Sequence, residues 1–314
     1  MLFGEEQKIV GTGDRSLHNS IPPELLERFD PVFVDYYNKY NVGRVYRNEV
    51  PIEEFRKNPA KYSPVYGRAA GPDIYRITEE KCPVKGREIG VRIFEPAPII
   101  VDGCAKKRGA YINLHRGRWV VGSLLTDHGY CKQRVHGVQG DLEAFNWIRQ
   151  EKANEFNLDP DRFAIGGPSA GGHLAAVIAH LCRDNKIPLR LQVLCVPMVD
   201  IQSAITPEGK FDWENCPYYS YREMELSAGM TTARVQYFIN NSWGLPPALV
   251  FTAEMDPLRD EGEAYAEKLR QAGCEVYFTR VKAAPHSFVV LDGVLESGKR
   301  FNARVIEALK MYLA

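Results

Sequence analysis

Along this chain the apolar positions switch repeatedly between a period of two and a period near 3.6, as they do where strands alternate with helices. Glu88 to Glu95 sets Ile89, Val91 and Ile93 against polar neighbours in the manner of a half-buried strand, and Asp73 to Thr78 reads as a strand before it. Ala110 to Leu114 is a short, buried-type strand that ends at His115. From Asp141 to Asn157, Leu142, Phe145, Ile148 and Phe156 recur at helical spacing, and Arg162 to Gly166 returns to strand. The same reading gives helices over Ala170 to Arg183, Arg259 to Ala272 and Lys299 to Leu313. It gives strands over Leu189 to Val199, Ala248 to Glu254 and Glu275 to Lys282. Residues 22–62 carry helix-like stretches broken by Pro31 and Pro51, and residues 200–245 are aromatic-rich and irregular. The alternation predicts an α/β fold with a mostly parallel sheet flanked by helices.

Length and charge narrow the function. A chain of 314 residues can hold one α/β domain with an appended or inserted lid. Forty basic and forty acidic residues leave no net charge to hold phosphate backbones or anionic lipid, so no nucleic-acid role is expected. The longest apolar runs, such as Leu191 to Val199, are strand-length, so no membrane span is expected. Seven cysteines stand singly, with no C-x-x-C pair and no His/Cys cluster at metal-ligand spacing. That pattern suits a reducing compartment and predicts neither metal nor cofactor. Met1 to Val10 lacks the basic start and apolar stretch of a signal peptide, and Tyr-Leu-Ala is not the usual peroxisomal tripeptide. The cytoplasm is the default expectation.

The chemistry enters at residues 165–176, Ile-Gly-Gly-Pro-Ser-Ala-Gly-Gly-His-Leu-Ala-Ala, between a predicted strand and a predicted helix. Gly167 to Gly171 forms a G-x-S-x-G element whose small flanks permit a sharp turn that exposes Ser169. A bare serine hydroxyl needs a base, and a base needs an orienting carboxylate. Asp256 lies just beyond the strand Ala248 to Glu254, and His286 follows the strand ending near Lys282. The order serine, acid, histidine is the one used on α/β-hydrolase sheets. Asp260 and Glu261 are rival acids, but they fall in a first helical turn, where the helix dipole favours carboxylates for structural reasons. His173 and His180 read as packing or surface groups, and His18, His128 and His136 have no evident partner. The amide of Ala170 is one expected oxyanion donor, with Gly117 and Arg118 of the loop after His115 as the others.

These residues resemble the hormone-sensitive-lipase-like esterases of the α/β-hydrolase fold, in their fungal branch. The resemblance rests on His115, Gly117 and Trp119, on Gly167 with Ser169 to Ala176, on Leu245-Pro-Pro-Ala-Leu, on Asp256-Pro-Leu-Arg-Asp-Glu-Gly and on His286-x-Phe288. It covers roughly residues 85–313 and also brings to mind hydrolases of fungal secondary-metabolite or toxin pathways. It implies a serine carboxylester hydrolase acting on a small or medium acyl ester, with a helical lid over residues 1–65 and about 200–245, and residues 66–314 as the hydrolase domain. Trp119, Trp213, Tyr218, Tyr219, Tyr221, Tyr237 and Phe238 either line an apolar substrate pocket or simply pack the lid.

The chain departs from the family at four places. Pro168 replaces an aspartate and confines Gly167 to extended backbone. Arg116 and Arg118 replace oxyanion-loop glycines, where any positive φ would cost on the order of 1–2 kcal/mol. Cys131 to Gly140 runs into Asp141 with no β-branched run between, about 20 residues short of a strand plus its loop. The strand after the oxyanion-loop helix is therefore expected to be missing, leaving a gap or a re-paired register. A second truncation falls near Asn240 to Trp243. Because of these changes a catalytically impaired or binding-only protein is the alternative expectation, and the same serine could also serve lactone opening, thioester cleavage or dehydration.

Overall fold

The computed structural model describes residues 18–45, 49–84, 86–117, 123–134, 137–139, 142–204, 206, 212–228, 248–271 and 273–313. Its centre is an eight-stranded sheet. In chain order the strands are β1 (Arg76–Val84), β2 (Arg87–Glu95), β3 (Arg108–Asn113), β4 (Gly137–Gln139), β5 (Leu158–Pro168), β6 (Leu191–Cys195), β7 (Ala248–Met255) and β8 (Val276–Pro285). In space they run β1-β2-β4-β3-β5-β6-β7-β8. β1 and β2 form an antiparallel hairpin, β2 meets β4 antiparallel, and the six strands from β4 to β8 are parallel to their neighbours.

The expected gap is not there, and this corrects the reading of the sequence. β4 fills the position with three residues, pairing Gly137, Val138 and Gln139 with Tyr111, Ile112 and Asn113 of β3, and Val138 with Ile93 of β2. A strand needs only its own N–H and C=O groups to satisfy both neighbours, so a run without β-branched side chains can still close a sheet.

Strand alternation divides the core between the two faces. On β7, Leu249, Phe251, Ala253 and Met255 face one layer, and Ala248 and Val250 the other. The first layer is covered by α2 (Pro31–Tyr40) through Phe33 and Tyr37, by α4 (His128–Gln133) and by α9 (Glu296–Leu313) through Phe301, Val305 and Leu309. Phe301 stands edge-on to Phe251 with ring centres 4.8 Å apart, a favoured quadrupole arrangement. The second layer is covered by α5 (Leu142–Trp147) with the π turn Ile148–Lys152 that continues it, by α6 (Ala170–Asp184) and by α8 (Arg259–Gln271).

Both prolines that interrupt the helical pattern of residues 22–62 sit at helix starts. Pro31 is the first residue of α2, where its missing N–H costs nothing, and Asp30 caps that helix by accepting from the amide of Val32 at 2.9 Å. Pro51 immediately precedes a short helix, Ile52–Lys57. The N-terminal segment is tied to the sheet where the amide of Asp30 donates to the carbonyl of Ala283 on β8 at 2.8 Å.

Candidate active site

The carboxyl ends of β3, β5, β7 and β8 come together on one edge, where parallel α/β sheets place their ligands. β5 is anchored by Phe163, Ala164 and Ile165, all fully buried, and its end passes straight into α6. At the junction Ser169 adopts φ +56°, ψ −118°, a conformation that costs a non-glycine residue on the order of 1–3 kcal/mol. Two backbone bonds hold it there: its amide donates to the Cys195 carbonyl at 2.8 Å, and its carbonyl accepts from the His173 amide at 3.1 Å. The glycines on either side are sterically required. A Cβ on Gly167 or Gly171 would lie 2.2 or 2.0 Å from the Leu114 carbonyl oxygen. Gly167 is extended within β5, the conformation that a following proline imposes.

β7 delivers Asp256, whose side chain is fully buried. One carboxylate oxygen accepts from the Leu258 amide at 3.1 Å, and the other pairs with Nδ1 of His286 at 2.8 Å. The rival acids are occupied elsewhere. Asp260 accepts from the Ser220 amide at 2.7 Å and pairs with Arg259. Glu261 accepts from the Val199 amide at 3.0 Å and the Tyr221 hydroxyl at 2.9 Å. Burial pushes the Glu261 carboxyl up to about 8, against the opposing effect of those two donors.

β8 delivers His286 through an irregularity between Val281 and Pro285. Ala283 sits there at φ +54°, with its amide on the Glu254 carboxylate at 2.7 Å. Ser169 and His286 open onto one cavity of about 430 Å³. No hydrogen bond joins the two side chains in this structure, which is common for catalytic pairs before substrate tightens them.

The loop expected to hold the oxyanion follows β3. Gly117 has φ +144°, a region glycine alone enters readily, and it lines the same cavity. Ala170 opens α6 directly after the serine. Arg118, Trp119 and Tyr237, with Phe238, lie outside the described residues. Arg116 does not carry the strain feared for it, since its φ is not positive. Its amide donates to one carboxylate oxygen of Asp127 at 3.1 Å and its guanidinium pairs with the other.

The aromatic wall differs from the one drawn from the sequence. Trp213 and Tyr219 are exposed, Tyr218 is engaged with Asp200, and none of the three borders the cavity. Tyr221 is spent on Glu261. The wall comes instead from the N-terminal segment, through Phe33, Tyr36, Tyr37, Phe55 and Tyr66. Their direction follows from tertiary packing, and no periodicity in residues 22–66 could have revealed it. Three other histidines, His18, His173 and His180, do not line the cavity: His173 meets the Met198 carbonyl at 2.8 Å and burial lowers its pKa. His180 is pushed down to about 4, and His18 pairs with Glu49 at 2.7 Å. Among the described residues no helix is long and apolar enough to cross a membrane.

Comparison with known proteins agrees with this fold. A family model for the alpha/beta hydrolase fold matches residues 138–290. The chain is 29% identical to an arylesterase of Saccharolobus solfataricus, over 82% of this chain and 90% of that one. It is also 29% identical to an AB hydrolase superfamily protein of Schizosaccharomyces pombe, over 90% and 94%. Among solved structures it resembles an esterase of Pyrobaculum calidifontis, with TM-score 0.65, 26% identity and coverage of 77% and 88%. An alpha/beta hydrolase from the metagenome of Lake Arreo superposes with TM-score 0.73 at 22% identity, covering 91% and 99%. The chain has the α/β-hydrolase fold.

Proposed function

We propose that this protein is a serine carboxylester hydrolase for a small or medium acyl ester. One observation carries the reading: the Asp256–His286 pair at 2.8 Å opens on the same cavity as a serine held in a strained turn. Ser169 Oγ attacks the acyl carbon as Nε2 of His286 takes its proton, and Asp256 fixes the tautomer and stabilises the imidazolium. The amides of Gly117 and Ala170, with that of Arg118, receive the oxyanion. The imidazolium then protonates the departing alcohol, and water, deprotonated by the same imidazole, releases the acid. The esterases among the relatives support this reading. A place in a fungal secondary-metabolite or toxin pathway rests on the resemblance alone.

The arginines that stand in place of oxyanion-loop glycines raise a second reading, a binding-only protein. Labelling with a fluorophosphonate probe separates the two. Stoichiometric labelling that vanishes in Ser169→Ala is the expected result, and equal signal from the wild type and the variant would remove the hydrolase.

A further inference from the structure

We propose that the ester cleaved at Ser169 carries a carboxylate, held by Arg68 beside Arg116; this rests on the ester-hydrolase reading above. Among the described residues, the cavity lining includes two guanidiniums and no Asp, Glu or Lys. Both guanidiniums stack on one ring, Arg116 at 5.1 Å and Arg68 at 5.4 Å from the centre of Tyr66. Both also reach one carbonyl, that of Thr126. Among the described residues, one carboxylate, that of Asp127, pairs with these two charges. Asp127 is fully buried behind the wall, and it is taken by the amide and guanidinium of Arg116.

That leaves Arg68. Its one hydrogen-bond partner among the described residues is the Thr126 carbonyl, an uncharged group, although a guanidinium has five N–H donors. The rest of the wall is largely apolar, with Phe33, Phe55, Val289 and Leu291. A half-buried cation in such surroundings lacks the hydration it would have in water, and a planar carboxylate is the ligand whose geometry matches its fork. A neutral ester would leave that charge uncompensated once it displaced water from the cavity.

The test compares matched esters in the same preparation. Mono-4-nitrophenyl adipate against 4-nitrophenyl hexanoate places the carboxylate on the acyl side. 3-Acetoxybenzoate against phenyl acetate places it on the alcohol side. In each case the rate of Ser169→Ala is subtracted. In at least one pair the anionic ester should show kcat/KM about tenfold or more above its neutral partner, the usual discrimination of one charged hydrogen bond. Arg68→Gln should bring that ratio to about one and Arg68→Lys should retain part of it. A ratio taken within one preparation is unaffected by partial unfolding, which lowers both rates alike. Neutral esters cleaved as well as both anionic ones, or a ratio unchanged in Arg68→Gln, would overturn the proposal while leaving the hydrolase standing. No Ser169-dependent turnover of any ester would overturn both.

Discussion

The carbonyl oxygen of Leu114 occupies the place where a side chain on Gly171 would begin, 2.0 Å from the ideal Cβ position. The end of β3 and the first turn of α6 therefore touch backbone to backbone, and backbone cannot swing aside as a long side chain can. Gly171→Ala should cost about 1–3 kcal/mol or more through overpacking and displace the nucleophile turn. A lower melting temperature with diminished fluorophosphonate labelling is expected; wild-type values for both would contradict the close approach.

Asp256→Asn should preserve the fold while disabling the base. The asparagine oxygen can still accept from Leu258, so its amide group would face His286 and favour the tautomer with the proton on Nε2. Serine proteases lose about 10⁴ in kcat from that change, and a comparable loss on 4-nitrophenyl butyrate is expected. Turnover within tenfold of wild type would mean that another group orients the imidazole.

Removing one half of the Arg116–Asp127 pair should be worse than removing both. Asp127 is fully buried and the Arg116 side chain is 14% exposed, so Asp127→Ala strands a poorly hydrated guanidinium at a cost of about 3–5 kcal/mol. Adding Arg116→Gly should recover much of that in urea unfolding. Strictly additive losses would show that the two groups are not coupled.

Glu261 should make stability fall as pH rises. In the unfolded chain it ionises near 4.5, while burial in the folded protein raises it to about 8. Between those values the folded state keeps a proton that the unfolded state has released. The stability this group contributes is therefore complete below about 4.5 and is lost as pH climbs through about 8. Glu261→Gln keeps an acceptor for Val199 and should flatten the melting temperature between pH 5 and 8. An unchanged slope would remove Glu261 as its cause.

The elements that locate the reactive groups were legible because each has a strong, uninterrupted period. Ala170–Asp184, Ala248–Met255 and Arg259–Gln271 all begin where the apolar pattern begins. β4 was not legible, since three residues with one valine carry no strand signature and its pairing comes from backbone alone. β1 runs later and longer than its pattern suggested, Arg76–Val84, because its partner β2 fixes its extent. Asp256 and His286 could be picked out by their positions after strands. Arg68 and Asp127 could not: one precedes the sheet, and the other stands at the N-cap position of α4 without making a side-chain cap there. Their roles depend on Arg116, which pairs with Asp127 and shares the Tyr66 ring with Arg68.

A three-residue seam joins the β1–β2 hairpin to the parallel strands, matched among the described residues at Ile93 opposite Val138. Because the reactive edge is assembled from β3, β5, β7 and β8, every component of it sits on the far side of that seam. The hairpin is therefore expected to open before the parallel strands do; slow amide exchange confined to β3 and beyond would show it, and fast exchange in the Ser169 turn would contradict it.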